Sequence, residues 1–205
     1  MKYRPGNRLP AVFVSMRHHL DTSFELKDGI LILRPLRPED APVLATAVRE
    51  SLIELHPWMD WATEAFDEAA ANRWLQIVQL AWEHSSAFHF AITDAKTGQY
   101  IGNCGIDAVD QNAHRGNLGY WVRTSRTRHG IAPRAALLAA RFAFEKLDLE
   151  RLEIVMATKN QASQFVARKT GAQFGGFRPQ GLVVRTHVYD AILYTLGAAD
   201  IDPQG

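Results

Sequence analysis

The sequence of 205 residues predicts a single mixed α/β domain. Two observations carry this: apolar runs of strand length alternate with stripes of helical period in the order β-α-α-β-β-β-α-β-α-β-β, and no repeat or low-complexity block interrupts them. The composition agrees, since 47% hydrophobic and 22% charged residues belong to a globular chain with one substantial core.

Residues 1–23, with Pro5, Gly6, Pro10 and the stretch Met16-Arg17-His18-His19, lack sustained periodicity and read as an N-terminal extension to a domain over 24–197. Residues 198–205 form a C-terminal tail. The first strand, 30–36, is an apolar run between Asp28-Gly29 and Pro38. Leu44, Ala47, Val48, Ser51, Leu52 and Leu55 then recur at helical spacing until His56-Pro57 stops them. A second stripe, Ala71, Trp74, Leu75, Val78, Ala81 and Trp82, places a helix over 66–84. Strands follow at 87–93, 100–109 and 117–122, the first two joined by a hairpin-length turn ending in Gly98. A helix over 133–147 turns Ala135, Leu138, Ala139 and Phe142 inward, and 151–157 is a strand. Residues 160–170 form a helix that opens on Asn160 and stops at Gly171. Strands at 174–177 and 183–196 complete the order.

Lys plus Arg total 23 and Asp plus Glu 22, so bulk charge gives no reason to expect a nucleic-acid partner. No apolar run approaches the roughly 20 residues that span a bilayer. The lone Cys104 excludes an internal disulfide and fits a reducing, cytoplasmic setting; the eight histidines show no metal-binding spacing.

Positive charge is nevertheless concentrated locally. The strand Leu118-Gly119-Tyr120-Trp121-Val122 runs into a turn where Arg123, Arg126, Arg128, His129 and Arg134 fall within twelve positions, and Pro133 marks a helix start. Helix N-termini present unpaired amides and partial positive charge, and Gly130 lets an anion approach them. The same pattern also suits a tight turn with a solvated basic face. Neither a phosphate loop ending in Gly-Lys-Ser/Thr nor Gly-x-Gly-x-x-Gly is present.

Together with this turn, the strand Gly119-Tyr120-Trp121, the later Asn160-Gln161-Ala162-Ser163, Leu36-Arg37-Pro38-Glu39-Asp40-Ala41, His56-Pro57-Trp58-Met59-Asp60-Trp61 and Tyr189-Asp190-Ala191 resemble the GNAT superfamily of N-acetyltransferases. The match is to its RimJ/RimL, ribosomal-protein N-terminal acetyltransferase type, over about residues 28–196. The resemblance implies a mixed, mostly antiparallel sheet flanked by helices, with a splayed strand pair that binds acetyl-CoA. It places the cofactor against backbone of Trp121 and Val122 and in the loop Arg128-His129-Gly130-Ile131-Ala132, where Thr127 replaces the usual Gln or Arg at the loop's first position. Arg126 and Arg128 are close enough in sequence to replace that charge.

By the same resemblance, Asn160 and Ser163 lie near the departing sulfur, Asn160 also touching cofactor; as residues alone they equally suit an N-cap and a first-turn serine. A thiolate of pKa about 8.5 needs only a hydrogen bond on leaving. Trp58, Asp60 and Trp61 would receive the amine substrate, a protein N-terminus such as a ribosomal protein's, or else pack the helices on the sheet. No carboxylate lies between Gly181 and Tyr189, so Glu54, Asp60, Asp107 and His187 are the candidate bases, beside a mechanism with none. Acetylation of a small amine and a CoA-binding module without activity stay open as alternatives, as do monomer and homodimer.

Overall fold

The computed structural model describes residues 24–201; the extension assigned to 1–23 and the last part of the tail, 202–205, lie outside the described residues. Eight strands form one sheet in the order β1-β2-β3-β4-β5-β6-β8-β7, where β1 is Leu26–Lys27, β2 Leu31–Pro35, β3 Phe88–Asp94, β4 Tyr100–Asp110, β5 Arg115–Val122, β6 Arg151–Ala157, β7 Gln173–Val184 and β8 His187–Gly197. Every neighbouring pair is antiparallel except β5 and β6. That exception follows from connectivity, because the helix α4, Ile131–Lys146, carries the chain across the sheet between them.

The strands alternate their side chains between two helical layers. On one face Phe88, Phe90, Ile106 and Leu118 pack with Ala135, Leu138, Ala139 and Phe142 of α4. On the other, Ala91, Tyr100 and Trp121 pack with Leu44 and Val48 of α1, Ala41–Glu50, and with Leu75 and Val78 of α3, Glu68–Glu83. Phe142 is 1% exposed and meets Phe24, Trp82, Phe88 and Phe90. Truncating such a ring costs about 3–5 kcal/mol, so α4 is firmly seated and its first turn is fixed with it.

Three sequence expectations are corrected. The helix over 44–55 is broken at Ser51 into α1 and the short α2, Leu52–Leu55. Buried Ser51 donates its hydroxyl to the Ala47 carbonyl at 2.7 Å and accepts from the Thr124 amide at 3.0 Å, so the break anchors the turn after β5. The strand over 183–196 contains a reversal: β7 ends at Val184 and β8 begins at His187, with Arg185 in the left-handed region at φ 53°. The pair of residues Leu26–Lys27 adds an edge strand. The remaining helix, α5, Gln161–Lys169, begins where Asn160 predicts.

Candidate active site

β5 and β6 pair only through Arg115, Gly116 and Asn117 with Arg151, Leu152 and Glu153. Beyond that point β5 stays on β4 and β6 stays on β8, and the two diverge into a fork. The Arg123 amide bonds the Ile101 carbonyl at 2.8 Å, which fixes the alternation of the β4–β5 ladder. By that alternation Trp121 directs its backbone groups to β4, whereas Tyr120 and Val122 turn theirs toward the fork, an unpaired edge inside the sheet. Gly102 makes the close approach of β4 and β5 possible here: a Cβ on it would stand 2.2 Å from the Trp121 carbonyl oxygen.

At the wide end of the fork lies the N-terminus of α4. Gly130 is its N-cap at φ 71°, ψ 11°, a left-handed conformation natural to glycine, and no side chain caps the amides that follow. Ile131 buries its side chain and Ala132 is half-buried, so both contribute backbone N–H groups; Pro133 has none to leave unpaired. Arg128, Gly130 and Pro133 line a pocket completed by Phe165 and Lys169 of α5, whose ammonium lies 5.7 Å from the Phe165 ring centroid. Phe165 and Lys169 escaped the sequence reading, although their i, i+4 spacing on a helix next to Asn160 is the signal that would have found them.

The arginine cluster disperses. Arg123 is held by Glu50, whose carboxyl falls to about 2 because Arg123 hydrogen-bonds it. Arg126 bonds Asp94 at 2.9 Å and Gln99 at 2.8 Å, and the Asp94 carboxyl falls to about 2 for that reason first. Arg134 pairs with Asp28 at 2.7 Å. These three guanidiniums brace the turn, so Arg126 is not available to replace the missing loop side chain at Thr127, whose hydroxyl donates to the Thr124 carbonyl at 2.9 Å. Arg128 is exposed and makes no ion pair among the described residues; exposed His129 keeps Nδ1 2.6 Å from the Thr127 carbonyl.

At the start of α5, Asn160 Oδ1 accepts from the Ser163 amide at 3.1 Å, so Asn160 does cap the helix. Ser163 faces β5: the Tyr120 hydroxyl donates to the Ser163 carbonyl at 3.0 Å and stands 3.3 Å from Ser163 Oγ. Burial pushes the Tyr120 phenol well above its ordinary value, keeping it protonated as a donor. In the sequence Tyr120 stands out only as part of the strand motif; alternation along β5, which points it away from Trp121, is the signal for its separate role.

Across the sheet, Trp61 sits between Phe66 and Trp121, with ring centroids 5.5 and 6.1 Å away. Trp58 instead meets Tyr189 of β8 at 6.1 Å, and Asp60, between the two tryptophans in sequence, is exposed. Arg185, in the β7–β8 turn, donates to the Met59 carbonyl at 2.9 Å and to the His56 carbonyl, fastening this loop to the far hairpin. Among the base candidates, Glu54 accepts from Thr124 Oγ1 at 2.9 Å and exposed His187 stacks on Tyr189. Asp107 lies on the sheet itself, 2.8 Å from His89 Nε2. Cys104 is fully enclosed and its thiol is pushed far up by burial, which denies it a nucleophile's role.

A forked sheet beside an uncapped helix N-terminus defines the class. The acetyltransferase (GNAT) domain model matches residues 31–173, and the chain belongs to that family; it is an acetyl-CoA-dependent N-acetyltransferase. A Bacillus subtilis protein provisionally named ribosomal N-acetyltransferase YdaF is 26% identical over 168 residues, covering 81% of this chain and 90% of its own. Mycobacterium smegmatis RimJ, solved in complex with CoA-disulfide, is 25% identical with a TM-score of 0.77, covering 89% of each chain. A Vibrio cholerae structure, titled provisionally as a ribosomal-protein-serine acetyltransferase, is 28% identical with a TM-score of 0.76, covering 86% of this chain and 98% of that one. Among the described residues no helix is long and apolar enough to cross a membrane.

Proposed function

We propose that the acceptor is the N-terminal α-amine of a protein or peptide, acetylated by direct transfer within one ternary complex. The observation that carries the transfer is the fork, where an unpaired β5 edge meets the uncapped amides of α4. The names of the relatives support the acceptor, as does amine chemistry: an α-amine titrates near 7.7–8.0 against about 10.4 for lysine, so a useful fraction is neutral at physiological pH.

Bound acetyl-CoA supplies an acyl group activated as a thioester. The chain's own residues do the rest. Val122 offers backbone groups to an extended ligand as an added strand would, with Trp121 holding β5 in place. Gly130, Ile131 and Ala132 present the helix start to pyrophosphate, assisted by Arg128 and His129. Asn160 sets the first turn of α5, and Ser163 with Tyr120 places hydroxyl donors on the α4–α5 side of β5. Trp58, Asp60 and Trp61 receive the acceptor on the opposite face, where an exposed carboxylate on the same loop as two tryptophans suits a cationic terminus.

Thiol release from acetyl-CoA is measured with peptides beginning in Ser, Ala or Met and, beside them, free amino acids and spermidine. Turnover with at least one peptide above every small amine is expected. Turnover confined to small amines refutes the acceptor assignment, and binding of CoA without any turnover refutes the transfer.

A further inference from the structure

We propose that Asp107, held by His89, takes the proton from the acceptor amine at the mouth of the fork. This deepens the reading just given and rests on it. Asp107 stands opposite Asn117, the last β5 residue paired to β6, so it flanks the point at which the fork opens. Asn117, Gly119 and Trp121 share one face of β5 by strand alternation, the face on which Trp61 packs, while Tyr120 and Ser163 lie on the other. The proton acceptor for the amine and the hydroxyl donors therefore approach the fork from opposite sides.

Two glycines make room for this pair. A Cβ on Gly105 would fall 2.5 Å from His89 Nδ1, so the imidazole lies flat over a position that tolerates no side chain. With Nδ1 against backbone, Nε2 points to Asp107 Oδ1 at 2.8 Å, and Trp74 covers the ring edge-on at 5.5 Å. The second oxygen, Oδ2, lies 3.7 Å from where Gly119 would carry its Cβ, and on Gly119 that space is open. The Asp107 side chain is 44% exposed and that of His89 18%, the gradient expected of an accepting carboxylate backed by a positioning group. Among the described residues the titratable group in contact with Asp107 is His89 from β3; the buried Cys104 thiol of the same strand points to the other face and feels Asp107 only through its charge.

The step is a proton transfer. An N–H bond of the ammonium breaks, its electron pair stays on nitrogen as the nucleophilic lone pair, and Asp107 Oδ2 takes the proton and passes it to water. One amine and one acyl thioester still give one amide and one thiol.

The test compares the parent with Asp107→Asn and His89→Asn, using Ser-, Ala- and Met-initiated peptides and spermidine as acceptors. Asp107→Asn should lower kcat/KM by roughly a hundredfold near pH 6.5, within the general-base range of ~10²–10⁴, and leave the Kd for CoA within threefold. The deficit should shrink as pH rises past about 8, because α-amines then lose the proton unaided. His89→Asn should lose roughly tenfold with the same pH trend, and His89→Gln should recover part of it. Without turnover, proton NMR of the ligand-free parent should show a protected imidazole N–H that disappears in Asp107→Asn. Unchanged kinetics in Asp107→Asn, a deficit independent of pH, loss of CoA binding, or the same imidazole signal in both proteins overturns the proposal. A parent that acetylates none of the acceptors overturns the transfer reading as well, whereas an active parent with an equally active Asp107→Asn overturns this proposal alone.

Discussion

Removing the Tyr120 hydroxyl, as Tyr120→Phe, tests whether the two hydroxyls on the α5 side of the fork act as one unit. Tyr120 has a single proton, which it donates to the Ser163 carbonyl at 3.0 Å; the Ser163 hydroxyl proton is then free to turn to Tyr120 Oη at 3.3 Å or outward to a departing thiolate. Deleting the first bond costs about 0.5–1.5 kcal/mol of stability, a Tm shift of a few degrees for a chain of this size. If the hydroxyl pair stabilises the leaving sulfur, Tyr120→Phe and Ser163→Ala each lower kcat by roughly ten- to a thousandfold, about 1.4–4 kcal/mol of barrier. Residues acting as one unit are not additive, so the double variant should fall no more than about threefold below the worse single variant. Thiol release at saturating acetyl-CoA gives kcat, and CoA titration should show Kd within threefold of the parent. Multiplying effects in the double variant refute the single unit, and unchanged kcat in both single variants removes the pair from the chemistry.

Arg128→Ala should weaken CoA binding roughly three- to tenfold, more at low salt because the charge is exposed, whereas Arg126→Ala should lower Tm and leave CoA affinity nearly unchanged. Equal losses of affinity in both would restore the arginine cluster as a binding unit. Gly102→Ala should cost about 3 kcal/mol or more, since its Cβ meets the Trp121 carbonyl oxygen and the Val122 Cα, backbone atoms that cannot step aside; a melting temperature equal to the parent's contradicts that contact. Acid should also discriminate. The Glu50 carboxyl lies at about 2 in the folded chain against an ordinary 4.5, so its stabilisation is complete above pH 4.5 and is lost as pH falls from there toward 2. Chemical denaturation of Glu50→Gln should therefore show a shallower dependence across that window than the parent.

The order of elements was legible because each buries one face and periodicity records it. The first-turn marks at Pro133, Asn160 and Gly130 located the two helix starts that frame the site. The break at Ser51 was hidden because the apolar stripe continues through Leu52 and Leu55, and the cause is a hydroxyl bond to residue 124. The reversal at Arg185 was hidden for a different reason: neither Arg185 nor Thr186 is a customary turn residue, and the positive φ is sustained by contacts with the 56–59 loop. The fate of the arginines was beyond local reading altogether, since Arg123, Arg126 and Arg134 find their acids 73, 32 and 106 positions away. Charge density along a chain reports composition; only the fold decides which charges are already spent on one another. The His89–Asp107 pair was half legible, with Asp107 among the base candidates and His89 unremarked, because Gly105, which admits the imidazole, lies on a different strand from His89.

Three residue pairs join the two halves of the sheet, and past them the plates part. On the proposed placement, an extended cofactor in that gap is a missing strand supplied from outside, which would make the ligand a component of the fold as well as a reactant. Occupancy at a hundred times Kd adds about 2.7 kcal/mol to stability by mass action. Stability on this reading follows the supply of acetyl-CoA, and of the CoA it leaves behind: as both fall below Kd, the folded chain loses that increment and opens more easily.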